Sequence, residues 1–347
     1  MDILPFHRKT SAHIDLGAIV SNFHSISALF EQASICAVIK ANAYGHGDLE
    51  VARALEAENA AWFAVALVEE GIRLRQGGIQ TPILILGGAL EGSYDALVEH
   101  DLTPAIFTID HLKKLNQAAG STQKPFHLKV DTGMNRLGLL EEDLPTFLEA
   151  LTNFPNLQLE GALTHLANAD HRDMDVNQHQ IDLFNQAVTS IESSGIKIQF
   201  KHVANSAGAL TLDSPAGNLV RVGLGLYGLD PLIPRSTHAL RSALQWKTSI
   251  IHVKTVPPNS RVSYGGTWSS DSPAQIATLP VGYADGYPRS LANQAQVLVK
   301  GQRVPIVGNI CMDLCMADIT KVNNVEIGDE VVLLGNQGEE MISAYEL

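Results

Sequence analysis

Ser34-Ile35-Cys36-Ala37-Val38-Ile39 is apolar and rich in β-formers, and it gives way at once to Lys40-Ala41-Asn42-Ala43-Tyr44-Gly45-His46-Gly47. A short apolar run bounded by turn residues reads as a buried strand. Lys40 therefore stands where a buried strand runs out. Burial disfavours an ammonium and lowers a lysine pKa, and a lysine so placed can attack a carbonyl and form a Schiff base. A lysine at a strand end can also simply extend its stem to water, so the surroundings have to decide.

Outward from this strand the pattern repeats. Apolar runs at 35–39, 62–66, 82–86, 103–107, 127–130, 157–163, 200–203 and 219–222 alternate with helical segments. In the helix expected over 177–193, Ile181, Phe184, Val188 and Ile191 fall on one face. Asp143-Leu144-Pro145 reads as an N-cap with proline in the first turn. Eight runs in βα alternation predict an α/β fold, a (β/α)8 TIM-like barrel rather than an open sheet. After about residue 240 the runs at 249–256, 274–280, 295–299, 303–307 and 330–334 are β-branched and separated by Gly, Pro, Asn and Asp, which predicts a mostly β domain. The expected division is 1–240 for the barrel and 241–347 for the β-domain, with the first ten or so residues a candidate to pair with the latter. Pro231, Pro234 and Arg235-Ser236-Thr237 mark the boundary.

The 347 residues exceed one ordinary domain, and 45% apolar with 18% charged residues suits a soluble enzyme. A net charge of −13 argues against nucleic acid and anionic membranes as partners. No apolar run spans a membrane and no apolar signal core opens the chain, so a cytoplasmic location is expected. Cys36, Cys311 and Cys315 make no disulfide framework, and the CxxxC pair lacks a second pair to complete a zinc site.

Other residues invite chemistry but have plain alternatives. Arg221 follows an expected strand, where a salt-bridged arginine is commonplace. Residues 223–228 match GxGxxG, but Pro231 and Pro234 oppose the helix a dinucleotide site needs, so that reading is rejected. Glycine amides there can still approach a phosphate. Tyr264 precedes Gly265-Gly266; cross-strand packing would explain it alone. His165, Asp170, His171, Asp173 and Asp175 match no defined ligand spacing, so no metal is expected.

Taken together, AVIKANAYGHG (37–47), LKVDTGMNRLG (128–138), GALTHLANAD (161–170), HVANSAGAL (202–210), LVRVGLGLYG (219–228), VSYGGTW (262–268), LPVGYADGYPR (279–289) and VGNICMDLCMAD (307–318) resemble, in order, the motifs of alanine racemases. The resemblance implies an isomerase dependent on pyridoxal 5'-phosphate (PLP). It would interconvert L- and D-alanine by a two-base mechanism on a PLP external aldimine, supplying D-alanine for peptidoglycan. By resemblance, Lys40 carries PLP and is one base, and Tyr264, reaching across a homodimer into the partner's site, is the other. Arg221 meets the pyridine nitrogen and, being unable to give up a proton, weakens the ring as an electron sink. His165 bridges toward Arg221. Tyr44, Ser206 and the amides of Gly223 and Leu224 hold the phosphate. Arg136, Met312 and Tyr283 meet the substrate, and Lys129 is a candidate for carbamylation. The alternatives are a racemase of serine or another amino acid, or a PLP amino-acid decarboxylase of the same architecture.

Members of that family usually continue past the point matching Ile342–Leu347 into a segment whose tyrosine meets the PLP phosphate. Tyr345 lies too early to match it, so the β-domain reads as truncated. The expectation is weaker PLP retention and a less stable dimer.

Overall fold

The computed structural model describes residues 7–171, 174–212, 214–232 and 239–347. Pro234, Arg235, Ser236 and Thr237, read above as boundary residues, and Asp173 lie outside the described residues. The chain divides into two units. One is Leu16–Arg241; the other joins the segment ending at Asp15 to Ser242–Leu347. The first described strand, β1 (Ser11–Ile14), belongs to the second unit.

The larger unit holds eight parallel strands: β2 (Ser34–Val38), β3 (Trp62–Val65), β4 (Ile83–Ile85), β5 (Thr103–Ile106), β6 (Lys124–Lys129), β7 (Leu157–Leu163), β8 (Phe200–His202) and β9 (Leu219–Val222). They pair in the order β8-β7-β6-β5-β4-β3-β2-β9. Asn218 N donates to Lys201 O at 2.9 Å and Arg221 N to Ala204 O at 3.0 Å, which brings β9 back to β8 and closes the ring. Most strand residues are buried on both faces, as a parallel sheet covered by helices requires. This is why the strands read as continuous apolar runs. Cys36, Val38, Trp62, Ala64, Leu84 and Leu219 form an apolar layer on which Tyr44 and Leu86 pack. Two buried histidines join it from β6 and β8, with His127 Nδ1 and His202 Nε2 2.9 Å apart.

Helices connect the strands. In Asp175–Ser193 the buried stripe includes Ile181, Phe184, Val188 and Ile191, the face the spacing predicts. The cap expected at Asp143 does not form. Glu141–Asp143 is a 3-10 turn and the Asp143 side chain makes no capping hydrogen bond, although Pro145 does occupy the first turn of Leu144–Leu151. The GxGxxG stretch is a single 3-10 turn, Leu224–Tyr227, and not a helix.

Among the described residues of the smaller unit all strand pairing is antiparallel. One sheet runs β1-β10-β16-β13-β14 and a second runs β11-β12-β15, where β10 is Leu244–Ser249, β11 His252–Val256, β12 Ala274–Leu279, β13 Gln296–Val299, β14 Gln302–Pro305, β15 Cys315–Asp318 and β16 Glu330–Gln337. A last strand, β17 (Glu340–Ile342), pairs with β16. The run expected over 249–256 divides between β10 and β11, with Ile251 exposed at the break. Among the described residues no helix is long and apolar enough to cross a membrane.

Candidate active site

A cavity of ≈ 450 Å³ opens where the barrel strands end. Lys40 follows β2, Lys129 closes β6, His165 follows β7, Ser206 follows β8, and Arg221 and Gly223 come from the end of β9. All six line the cavity, with Tyr44, Arg136 and Leu224. Barrel enzymes build their sites at this face because several strand ends converge there. The structure thus brings together every candidate that lies in the barrel unit.

The backbone leaves β2 in an uncommon way. Ala41, Asn42, Ala43 and Tyr44 all have φ between 51° and 55°, a left-handed turn made of four non-glycine residues. L-residues resist this conformation by roughly 1–2 kcal/mol each, so the surroundings must hold it. Ala43 N donates to Ile39 O at 2.9 Å, Gly45 N to Ala41 O at 3.1 Å and Gly47 N to Asn42 O at 3.0 Å. The Asn42 side chain accepts from Asp48 N at 3.0 Å, where the Asp48–Ala57 helix begins. Gly45 and Gly47, at φ 86° and 89°, complete the reversal. The turn starts at Lys40 and ends at Tyr44, so one strained element presents both side chains to the cavity. The Lys40 Nζ stands 6.0 Å from the Tyr44 ring centroid.

Arg221 is buried (3% exposed) and spends its guanidinium on the barrel. Nη1 donates to His202 O at 2.8 Å; Nη2 donates to Thr164 O at 2.5 Å and Val203 O at 3.2 Å. Desolvation lowers its pKa to about 10, which leaves it cationic at neutral pH. Nη2 also lies 3.3 Å from His165 Nδ1. Arginine can only donate, so His165 Nδ1 is the acceptor and a neutral ring carries its proton on Nε2. Burial, then Arg221, Arg136, Lys129 and Lys40, hold the His165 pKa at about 3. The Lys129 amine is pushed down to about 8, first by desolvation and then by Arg221 and Arg136. The cavity is therefore strongly receptive to anions.

At the β9 end the backbone forms a cradle. Gly223 N and Gly225 N donate to Ser206 Oγ at 2.9 and 3.3 Å. With both amides received, the Ser206 hydroxyl proton can be directed outward. A Cβ on Gly223 would lie 2.6 Å from Tyr44 Oη, so only glycine lets that hydroxyl approach the backbone. Tyr44 packs on Tyr227, whose hydroxyl donates to Val38 O at 3.1 Å. Asn205 was missed in the sequence. Its side chain caps Ser206–Thr211 through Gly208 N at 2.9 Å and it lines the cavity. An Asn before Ser-Ala-Gly-Ala is an N-cap signal that could have flagged it.

Arg136 is exposed in the loop after β6, whose turn is set by Asp131 Oδ1 accepting Gly133 N and Asn135 N, each at 3.0 Å. Of His165, Asp170, His171, Asp173 and Asp175, Asp173 lies outside the described residues; among the described residues no three ligating side chains group together.

Tyr264, Tyr283 and Met312 belong to the β-unit. Each is exposed there, at 72%, 40% and 53%. Their loops are laced together: Asn309 Nδ2 donates to Tyr264 O at 2.8 Å, Ser263 Oγ to Asn309 O at 2.5 Å, Tyr283 N to Cys311 O at 3.1 Å and Ala284 N to Met312 O at 3.0 Å. Ser263 takes φ 63° to make the turn.

Residues 14–231 match the family model for the alanine racemase N-terminal domain, and residues 243–347 match that for the C-terminal domain. The chain is 41% identical to alanine racemase of Halothermothrix orenii, over 98% of this chain and 91% of that protein. It is 42% identical to that of Carboxydothermus hydrogenoformans, over 98% and 93%. Among solved structures, alanine racemase from Bacillus anthracis with bound L-Ala-P superposes with a TM-score of 0.92 at 36% identity, covering 99% of this chain and 90% of that one. Alanine racemase from Bartonella henselae with covalently bound pyridoxal phosphate gives 0.87 at 28% identity, covering 94% and 91%.

Proposed function

The chain belongs to the alanine racemase family, and from that premise we propose that it interconverts L- and D-alanine with PLP held on Lys40. The observation that carries the reading is Arg221, a buried guanidinium beside the cavity that Lys40 lines. Its hydrogen bonds to three backbone carbonyls fix its position, and although burial lowers its pKa to about 10 it stays charged at neutral pH. When bound, PLP supplies the ring that stabilises the electron pair left by removal of the α-proton.

The residues suit that group. A phosphate needs donors and positive potential; the Ser206 hydroxyl, the Tyr44 hydroxyl and the Leu224 amide would offer the donors, while the Gly223 amide, donating to Ser206 Oγ, turns that hydroxyl outward. Arg221 would meet the pyridine nitrogen of bound PLP and, by keeping its proton, would leave that nitrogen without one. Neutral His165 braces Arg221 from the side. Arg136, with Met312 and Tyr283 of a second copy, receives the substrate carboxylate.

Racemisation needs a proton moved on each face of the α-carbon. Lys40 Nζ takes the proton from D-alanine and returns one to make it. Tyr264 Oη does the same for L-alanine. The exposure of Tyr264, Tyr283 and Met312 on laced loops favours their being offered to a partner subunit, so the enzyme works as a homodimer with shared sites. In the cytoplasm such an enzyme supplies D-alanine for peptidoglycan. Lys129, pushed down to about 8, holds a neutral fraction able to take up carbon dioxide as a carbamate beside Arg136.

Optical rotation of L-alanine, followed on PLP-loaded protein with ammonia and carbon dioxide assayed alongside, tests the reading. Rotation falling to zero with neither product released is expected. Release of carbon dioxide in step with substrate loss would overturn it in favour of decarboxylation.

A further inference from the structure

We propose that Glu70 is a positioning residue for Lys40 and Tyr44, holding the left-handed turn that carries them. The proposal rests on the reading of Lys40 as the PLP-bearing lysine. Glu70 sits in the first turn of the Val68–Gln76 helix. Its Oε2 accepts Ala66 N at 2.8 Å and Leu67 N at 3.0 Å, which closes the N-terminus of that helix. A capping glutamate normally stops there. Here the second oxygen leaves the helix: Oε1 accepts Ala41 N at 2.5 Å.

Ala41 follows Lys40 directly and is the first of the four left-handed residues. The opening amides of any helical turn lack an acceptor within the turn, so an outside oxygen must meet this one. The same helix grips the far end of the loop: Arg73 Nε lies 3.0 Å from Asp48 Oδ1, and Asp48 N is held by Asn42 Oδ1. One helix face thus clasps the strained segment at Ala41 and at Asp48. An ionised carboxylate suits the place because it only accepts. A glutamine must turn its NH2 toward one of the amide donors that the two oxygens now serve.

Glu70→Gln and Glu70→Asp test this, with Glu69→Gln as control, since Glu69 is the exposed neighbour in the same helical turn. PLP affinity is read by titrating the apo-protein, and the seating of the cofactor by visible circular dichroism of the bound band. KM and kcat for L-alanine are measured at saturating PLP. Expected are a PLP dissociation constant raised roughly ten- to hundredfold, a weakened visible dichroism, and kcat lowered more than KM is changed, with Glu69→Gln like wild type. A residue that only capped its helix would lower the unfolding temperature and leave the dichroism of bound PLP untouched. If Glu70→Gln and Glu70→Asp keep wild-type affinity, dichroism and kcat, whatever their melting temperatures, Glu70 positions nothing. If borohydride-reduced wild type carries its PLP on a lysine other than Lys40, the reading of the lysine falls and the role of Glu70 falls with it. An adduct on Lys40 with unaltered Glu70 variants overturns the Glu70 assignment alone.

Discussion

At the scale of single residues the proposed chemistry depends on two side chains with unlike surroundings. Lys40 lines the cavity; Tyr264 stands 72% exposed in the β-unit. Lys40→Ala should abolish racemisation, and the borohydride-reduced PLP adduct of wild type should map to Lys40 by peptide mass. If Tyr264 serves the L-alanine face, Tyr264→Phe should slow α-proton exchange with solvent far more from L-alanine than from D-alanine. A small, equal loss from both would mean that the tyrosine only packs. Lys129 offers a pH prediction. Its pKa is lowered to about 8 in the folded chain, below the usual 10.4. Between those values the unfolded chain binds more protons, so this residue makes stability rise with pH from about 8 upward. The neutral fraction also grows through pH 7 to 9. At fixed dissolved carbon dioxide, a carbon-13 carbamate signal should grow over that range and vanish in Lys129→Ala. A signal that survives the substitution belongs to another amine.

Elements decide where those residues stand, and here the sequence was unevenly legible. The barrel strands were plain where parallel strands buried on both faces are continuous apolar runs, as in β3 and β4; the limits of β7 and β9 were also read correctly despite their polar residues. The edge strand β1 lies just past the first ten or so residues named as a candidate pairing segment and is not read as a strand, since Ser11, Ala12 and His13 are exposed and carry no burial signal. The left-handed turn after β2 was invisible, because in Ala41-Asn42-Ala43-Tyr44 only Asn42 favours that conformation; the hydrogen bonds around it, one of them from Glu70, hold the rest. Likewise the candidate site was readable as motifs, but the depressed His165 and Lys129 pKa values come first from burial and then from cations that the fold brings together from distant parts of the chain. The β9 element also carries a stability prediction. Removing Arg221 would take its donor from the buried carbonyls of Thr164 and Val203, at a cost of about 1–3 kcal/mol each, while His202 O keeps the Thr164 amide at 3.2 Å. Arg221→Ala should therefore lower the unfolding free energy by about 2–6 kcal/mol, seen in chemical denaturation of the apo-protein. A loss below 1 kcal/mol would show that water replaces the guanidinium freely.

For the whole molecule, the proposed sharing of sites makes a distinctive demand. Lys40→Ala and Tyr264→Phe proteins should each be inactive, yet a mixture should regain activity. In a mixed dimer one of the two sites keeps both bases. No recovery despite proven subunit exchange would mean that each site is built within one chain.

The β2–β9 ladder pairs Cys36 with Arg221, so the first barrel strand finds its outer neighbour only when the last one is made. Lys40 and Arg221 are separated by 181 positions (221 − 40). At roughly 5–20 residues per second, synthesis alone takes on the order of ten to forty seconds to deliver the second after the first. Through that interval the nascent chain carries a lysine without the cradle at Ser206 and Gly223. On the proposed reading, cofactor capture would wait until translation has passed the ninth strand, and a chain holding PLP would be one whose ring has closed.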